Sequence, residues 1–140
     1  MIKKTFIFFL ILLFTPNMLI AKSKYYQDGI VLFNKLKFDE ARFKFEQDIV
    51  YNPKNELSYL YLSKIFNKKK NIDLQEQNLN TVILLNPKNE EAVYNLAKLK
   101  LSSSDYKKSK DLNKKLKSIC INYCSQSDEL KIEIENLSKK

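Results

Sequence analysis

Two identical tetrapeptides 34 residues apart constrain this chain more than any other feature: Asn52-Pro53-Lys54-Asn55 recurs as Asn86-Pro87-Lys88-Asn89. Self-similarity at a fixed interval of this size marks a stack of repeated supersecondary units. Setting Pro53 at the thirty-second place of a unit divides the chain into repeats at 22–55, 56–89 and 90–123.

The first unit reads Tyr25-x2-Asp28-Gly29-x2-Leu32, then Ala41-x3-Phe45, then Pro53. The second reads Tyr59-x2-Leu62-Ser63-x2-Phe66, Gln75-x3-Leu79 and Pro87. The third keeps Val93-x2-Leu96-Ala97 but has Lys100, Ser109, Asn113 and Ile121 at the later places. This pattern resembles the tetratricopeptide repeat (TPR), strongly in the first unit and weakly in the third. The resemblance implies an all-α solenoid of three antiparallel helix pairs. Residues 124–140 then form a C-terminal capping helix, because a solenoid exposes an apolar end unless something covers it. Ser127-Asp128-Glu129 offers its start, Leu130, Ile134 and Leu137 share one face, and Glu133, Glu135, Lys139 and Lys140 turn to solvent.

Each unit is a pair of amphipathic helices that cannot bury its apolar faces without a neighbour. Small residues are expected where the helices cross: Gly29, Ser63 and Ala97 on the first helices, Ala41 and Ser109 on the second. Gln75 breaks the rule, which predicts a locally splayed helix or an amide turned to a polar partner. Tyr25, Leu32, Phe38, Phe45 and Tyr51 are expected in the core of the first unit. Tyr59, Leu62, Phe66, Ile72, Leu79, Val82 and Leu85 fill the second. The Asn-Pro pairs end the second helices, since proline excludes the α conformation from the residue before it.

Ahead of the repeats, Lys3 and Lys4 precede nine unbroken apolar residues, Phe6 to Phe14. Pro16 and Asn17 follow, then Met18 to Ala21 and the polar Lys22-Ser23-Lys24. This is the layout of a secretory signal peptide, 1–21, cleaved after Ala21. It places the protein in an exported compartment of bacterial type, the periplasm. The alternative is an uncleaved helix, Phe6 to Ile20, anchoring the chain in the inner membrane and facing the periplasm; the run is short for a span and broken by Pro16. Loss of Lys3 and Lys4 lowers the net charge from +9 to +7. Arg42 is the sole arginine, so specific nucleic-acid readout, which favours the bidentate guanidinium, is not expected. The basic surface remains compatible with anionic lipid or an acidic partner.

The chain has no histidine, which removes the commonest general base, the Ser-His and Cys-His nucleophile pairs and imidazole metal ligation. Its one glycine cannot build a phosphate cradle. No enzymatic activity, metal or cofactor is expected. Asp39-Glu40 and Glu90-Glu91 fall at helix starts, where acidic groups complement the helix dipole. Lys68-Lys69-Lys70 occupies the turn of the second unit, either solvated or meeting an acidic partner. Cys120 and Cys124 are poor zinc ligands by themselves. Four apart within one helix, their Cβ atoms would be about 5 to 6 Å apart, too far for a relaxed disulfide. One must lie beyond the helix end for a bond, which export would favour; free thiols and redox chemistry stay open.

The resemblance also implies a concave groove lined by places two, five, nine and twelve of the first helices. Transferred to this chain, the partner-binding residues are Tyr26, Ile30, Phe33, Leu57, Leu60, Lys64, Asn67, Tyr94, Lys98 and Leu101, with Ser23 and Glu91 at the outer places. Tyr26 and Leu60 are expected to face the groove, and Tyr25 and Tyr59 the core. Some TPR proteins clamp a terminal carboxylate with Lys and Asn. Here Tyr26, Ile30 and Glu91 stand where that clamp belongs, so it is absent. The expectation is an exported scaffold or adaptor that takes a hydrophobic segment or amphipathic helix of an envelope protein, with Lys64 and Lys98 meeting its acidic residues. The alternative is an accessory subunit of an envelope assembly machine held by the uncleaved anchor.

Overall fold

A computed structural model of the chain describes residues 23–139. The expected signal segment, Lys22 and Lys140 lie outside the described residues. Seven helices follow one another, α1 (Lys24–Asn34), α2 (Phe38–Tyr51), α3 (Glu56–Lys68), α4 (Ile72–Leu85), α5 (Glu90–Ser102), α6 (Tyr106–Ile119) and α7 (Cys124–Leu137), and no strand occurs among the described residues.

The repeat boundaries are built from local chemistry. In both Asn-Pro-Lys-Asn segments the first Asn is the C-cap of one helix, and its N–H reaches Asp48 O or Val82 O. The second Asn is the N-cap of the next: Asn55 Oδ1 accepts from Leu57 N and Asn89 Oδ1 from Ala92 N. One tetrapeptide therefore stops one helix and starts another. The turns inside the pairs are equally regular. Leu36, Lys70 and Ser104, also 34 apart, take positive φ of 60°, 57° and 60°. At each, one N–H bonds three residues back and the following N–H five back, as in Lys37 N to Leu32 O at 3.0 Å. This is the Schellman closure, made here without glycine.

The helices pack as α1 on α2, α3 on α4 and α5 on α6, with each pair resting on the next. The expected crossing residues hold: Gly29, Ala41, Ser63, Ala97 and Ser109 are all buried, and Ser109 Oγ donates to Ala97 O at 2.9 Å. Two apolar cores result. The first gathers Tyr26, Phe45, Leu62, Ile65 and Phe66; the second runs from Leu60 and Leu79 through Val93, Leu96 and Leu116 to Leu130 and Ile134.

Of the expected core, Phe45, Leu62, Phe66, Leu79 and Val82 are buried, while Tyr25, Leu32, Phe38 and Tyr59 are half-buried. Tyr51, Ile72 and Leu85 are exposed at 72, 52 and 37% and do not belong to it. Each stands at the first or last place of a second helix, where few neighbours remain to cover it. Nor is α4 splayed at Gln75, since α3 and α4 pack as extensively as the other pairs.

The terminal helix begins at Cys124, the first residue of the expected 124–140 cap, and not at Ser127. Its Tyr123 N-cap has no side-chain cap of its own; instead Glu90 Oε2 at the start of α5 accepts from Asn122 N and Tyr123 N, both at 2.9 Å. Ser127 is not a cap: it is buried, donates to Asn113 Oδ1 at 2.9 Å, and its carbonyl accepts from Asn113 Nδ2 at 2.9 Å. The helix rests on both α5 and α6, the place a first helix of a fourth pair would take.

Candidate binding groove

The first helices α1, α3 and α5, with α7 behind them, present the face to which the groove residues were assigned. Ile30, Phe33, Leu57, Lys64, Tyr94 and Lys98 are half-buried there and Asn67 is exposed. Tyr26, Leu60 and Leu101 are buried at 3, 4 and 4% exposure and cannot serve as open contacts. For Tyr26 the reason is close packing against both α2 and α3: its ring lies 6.0 Å from that of Phe45 and 6.1 Å from that of Tyr61. The expected division between adjacent tyrosines is thus reversed, for Tyr25 sits partly open and stacks on Tyr51 at 5.3 Å. Burial pushes the Tyr26 phenol up to about 12, and Tyr61, Asp48 and Glu56 add to the effect.

Tyr61 was not among the sequence candidates, because it falls at a place outside the two, five, nine and twelve series. It is the hinge of the aromatic face: stacked on Phe45 at 5.0 Å, edge-on to Phe33 at 5.1 Å, and covered by Lys64 Nζ at 4.9 Å from its centroid. The one sequence signal was the run Tyr59-Leu60-Tyr61-Leu62, apolar all round, which a helix packed between two others requires.

Lys64 and Lys98 are not free to await a partner. Lys64 Nζ pairs with Glu91 at 2.8 Å, joining α3 to α5, and Lys98 Nζ pairs with Glu133 at 2.6 Å, joining α5 to α7. The expectation of a solvated Glu133 is corrected accordingly. Both pairs remain about a third or more exposed, where such contacts contribute little and an incoming carboxylate can compete for the lysine. Beside the Lys64–Glu91 pair lies a cleft of ≈ 250 Å³ lined by Phe33, Ser63, Lys64, Asn67, Lys68, Gln75, Glu91 and Asn95. Gln75 is 8% exposed and borders it, so the cleft, not a displaced helix, accommodates the amide.

Two junctions hold the face in shape. Asp48, fully buried, accepts from the Ser23 and Ser58 hydroxyls and from Asn55 Nδ2, the last at 2.6 Å. These donors tie α2 to the starts of α1 and α3. At the other end Cys120, the C-cap of α6, is joined to Cys124, the first residue of α7, by a disulfide with Cα atoms 5.3 Å apart. One cysteine does lie past the helix end. Desolvation pulls the nearby Glu90 carboxyl upward, yet the N–H groups of Ile121, Asn122 and Tyr123 outweigh it and leave it below its ordinary range. In the turn of the second pair Lys69 is paired with Asp39. Among the described residues no group of His, Cys, Asp and Glu is arranged to hold a metal, and no helix is long and apolar enough to cross a membrane.

This architecture is that of a tetratricopeptide-repeat solenoid. Solved structures sharing it include the type III secretion chaperone SycD of Yersinia enterocolitica in complex with a peptide of the translocator YopD. That match has a TM-score of 0.73, 14% identity, and covers 84% of this chain and 93% of that one. The TPR2B domain of yeast Sti1, in a complex with pHsp70, gives 0.74 and 14% over 82% and 99% of the two chains. The Sgt2 TPR domain of Aspergillus fumigatus gives 0.70 and 15% over 84% and 81%. At such identities the likeness is one of fold. No protein-family model and no curated protein matches the sequence.

Proposed function

We propose that this protein is a non-enzymatic exported scaffold or adaptor, which holds a peptide segment of an envelope protein on the face formed by α1, α3 and α5. The observation that carries this reading is the cleft beside Phe33, Lys64 and Asn67, where an aromatic wall adjoins an ion pair weak enough to be exchanged. Like folds solved with bound partners, a YopD peptide on SycD and pHsp70 on Sti1 TPR2B, support it. The basic, apolar and polar order of residues 1–24 supports export, and so does the Cys120–Cys124 bond, which persists in oxidising compartments. The bulk of Leu19, three places before the expected cleavage point, favours as second reading an accessory subunit of an envelope assembly machine, anchored by Phe6 to Ile20 in the inner membrane and presenting the same face to the periplasm.

A photo-crosslinking residue at Asn67 or Tyr94 in the native cell tests the groove. Capture of a protein from these positions, and not from Phe43 or Leu84 on the exposed sides of α2 and α4, is the expected result. Capture from the second helices alone would refute it. N-terminal analysis of the same material separates the two readings: a start at Lys22 supports the cleaved form, an intact Met1 the anchored one.

A further inference from the structure

A larger cleft lies elsewhere among the described residues. Between α6 and α7 lies a space of ≈ 620 Å³, more than twice the volume of the groove cleft. Tyr106 and Ile134 contribute to its lining, together with five lysines, Lys107, Lys110, Lys114, Lys117 and Lys131. Four of these lie on α6 at intervals of three, four and three residues, which places them in one stripe about 15 Å long. The helix as a whole carries six lysines against one aspartate, a net +5 in a chain whose total is +9. Among the described residues only Lys117 of the five has a carboxylate partner, Asp128 at 2.7 Å.

The register explains why a cleft forms there. On α5, Ala97 is covered by α6 through Ser109. Thirty-four residues later, Lys131 holds the corresponding place on α7 and opens into the cleft. The space is therefore the seat of a second helix in a fourth pair.

We propose that this cleft is a docking site for an acidic amphipathic helix of a partner protein, which packs its apolar side on Tyr106, Ile134 and the lysine stems and sets its carboxylates against the α6 stripe. The occupant is chosen by charge and shape. A second copy of this chain would bring further lysines to a lysine-lined cleft. A membrane surface is flat where the site is concave, and the stripe spacing fits acids three and four apart on a helix.

Binding of a fluorescent synthetic helix, with Leu on one face and Glu at matching spacing on the other, tests this by anisotropy on the full chain. Lys107→Glu with Lys110→Glu and Lys114→Glu, all exposed positions, should weaken binding by about tenfold or more, and a peptide carrying Lys for Glu should recover it on that variant. Crosslinking from Asn67 should be unchanged, which keeps a failure of this site distinct from a failure of the groove. Equal affinity of wild type and triple variant would overturn the proposal. So would absence of peptide binding alongside lysine-dependent binding to phosphatidylglycerol vesicles, or sedimentation showing that a second copy fills the cleft.

Discussion

A methyl group placed on Gly29 would lie 2.7 Å from Cε1 of Phe45 and 2.9 Å from Cδ1 and Cζ. The ring cannot swing aside, since Phe45 is fully buried and stacked on Tyr61. Alanine would gain about 1 kcal/mol of helix propensity and lose about 1 to 3 kcal/mol to overpacking. Gly29→Ala should therefore lower stability in urea unfolding, against the usual direction for a glycine inside a helix.

Removing the Asp48 carboxylate strands three donors in a buried junction. Asp48→Ala should cost about 3 kcal/mol, because unsatisfied buried groups keep their desolvation penalty. Denaturant titration of the variant would show the loss; a midpoint equal to wild type would remove the junction from the account of stability.

Leu36 combines 72% exposure with a φ of 60°. A left-handed conformation costs a non-glycine residue about 1 to 2 kcal/mol, so Leu36→Gly should raise the melting temperature, with a gain of about 1 kcal/mol after the entropy of glycine is counted.

Reduction should be local in effect. The Cys120–Cys124 loop contains about 5 residues, for which chain entropy gives about 2 kcal/mol. Dithiothreitol should loosen α7, seen as faster amide exchange there, and leave the first core protected. Global unfolding on reduction would contradict this.

Alkaline titration should report Tyr26. Its folded pKa of about 12 exceeds the ordinary value of 10.0. The folded state thus holds the proton longer, and the contribution is complete below pH 10 and lost as pH rises towards 12. The readout is the difference from Tyr26→Phe, whose stability should fall less steeply across that window.

The repeat frame was legible because it rests on local chemistry: Asn-Pro breaks a helix and Asn starts one wherever they occur, and Gly29 and Ala41 fit only a close crossing. The groove was less so. Tyr25 and Tyr26 are the same residue type one place apart, and only the approach of Tyr61 from α3 decides which is enclosed. Glu133 and Glu91 read as solvated acids because their lysine partners stand 35 and 27 residues away in sequence. That Ser127 does not start α7 escaped for the same reason, since Glu90 of a distant helix accepts from the N–H groups at its opening.

The two ends of the stack are held unequally, and this gives the molecule a mechanical polarity. The last junction combines a covalent bond, the Glu90 carboxylate, the Asn113–Ser127 pair and two ion pairs from α7. At the first, among the described residues, α1 is held by Ser23 on Asp48 and by the ring contacts of Tyr25, Tyr26 and Phe33, with no covalent link there. Since each unit of a solenoid is secured only by its neighbours, a pull or a protease acting on the folded chain should peel α1 away first, and the tear should then travel towards the disulfide and stall there.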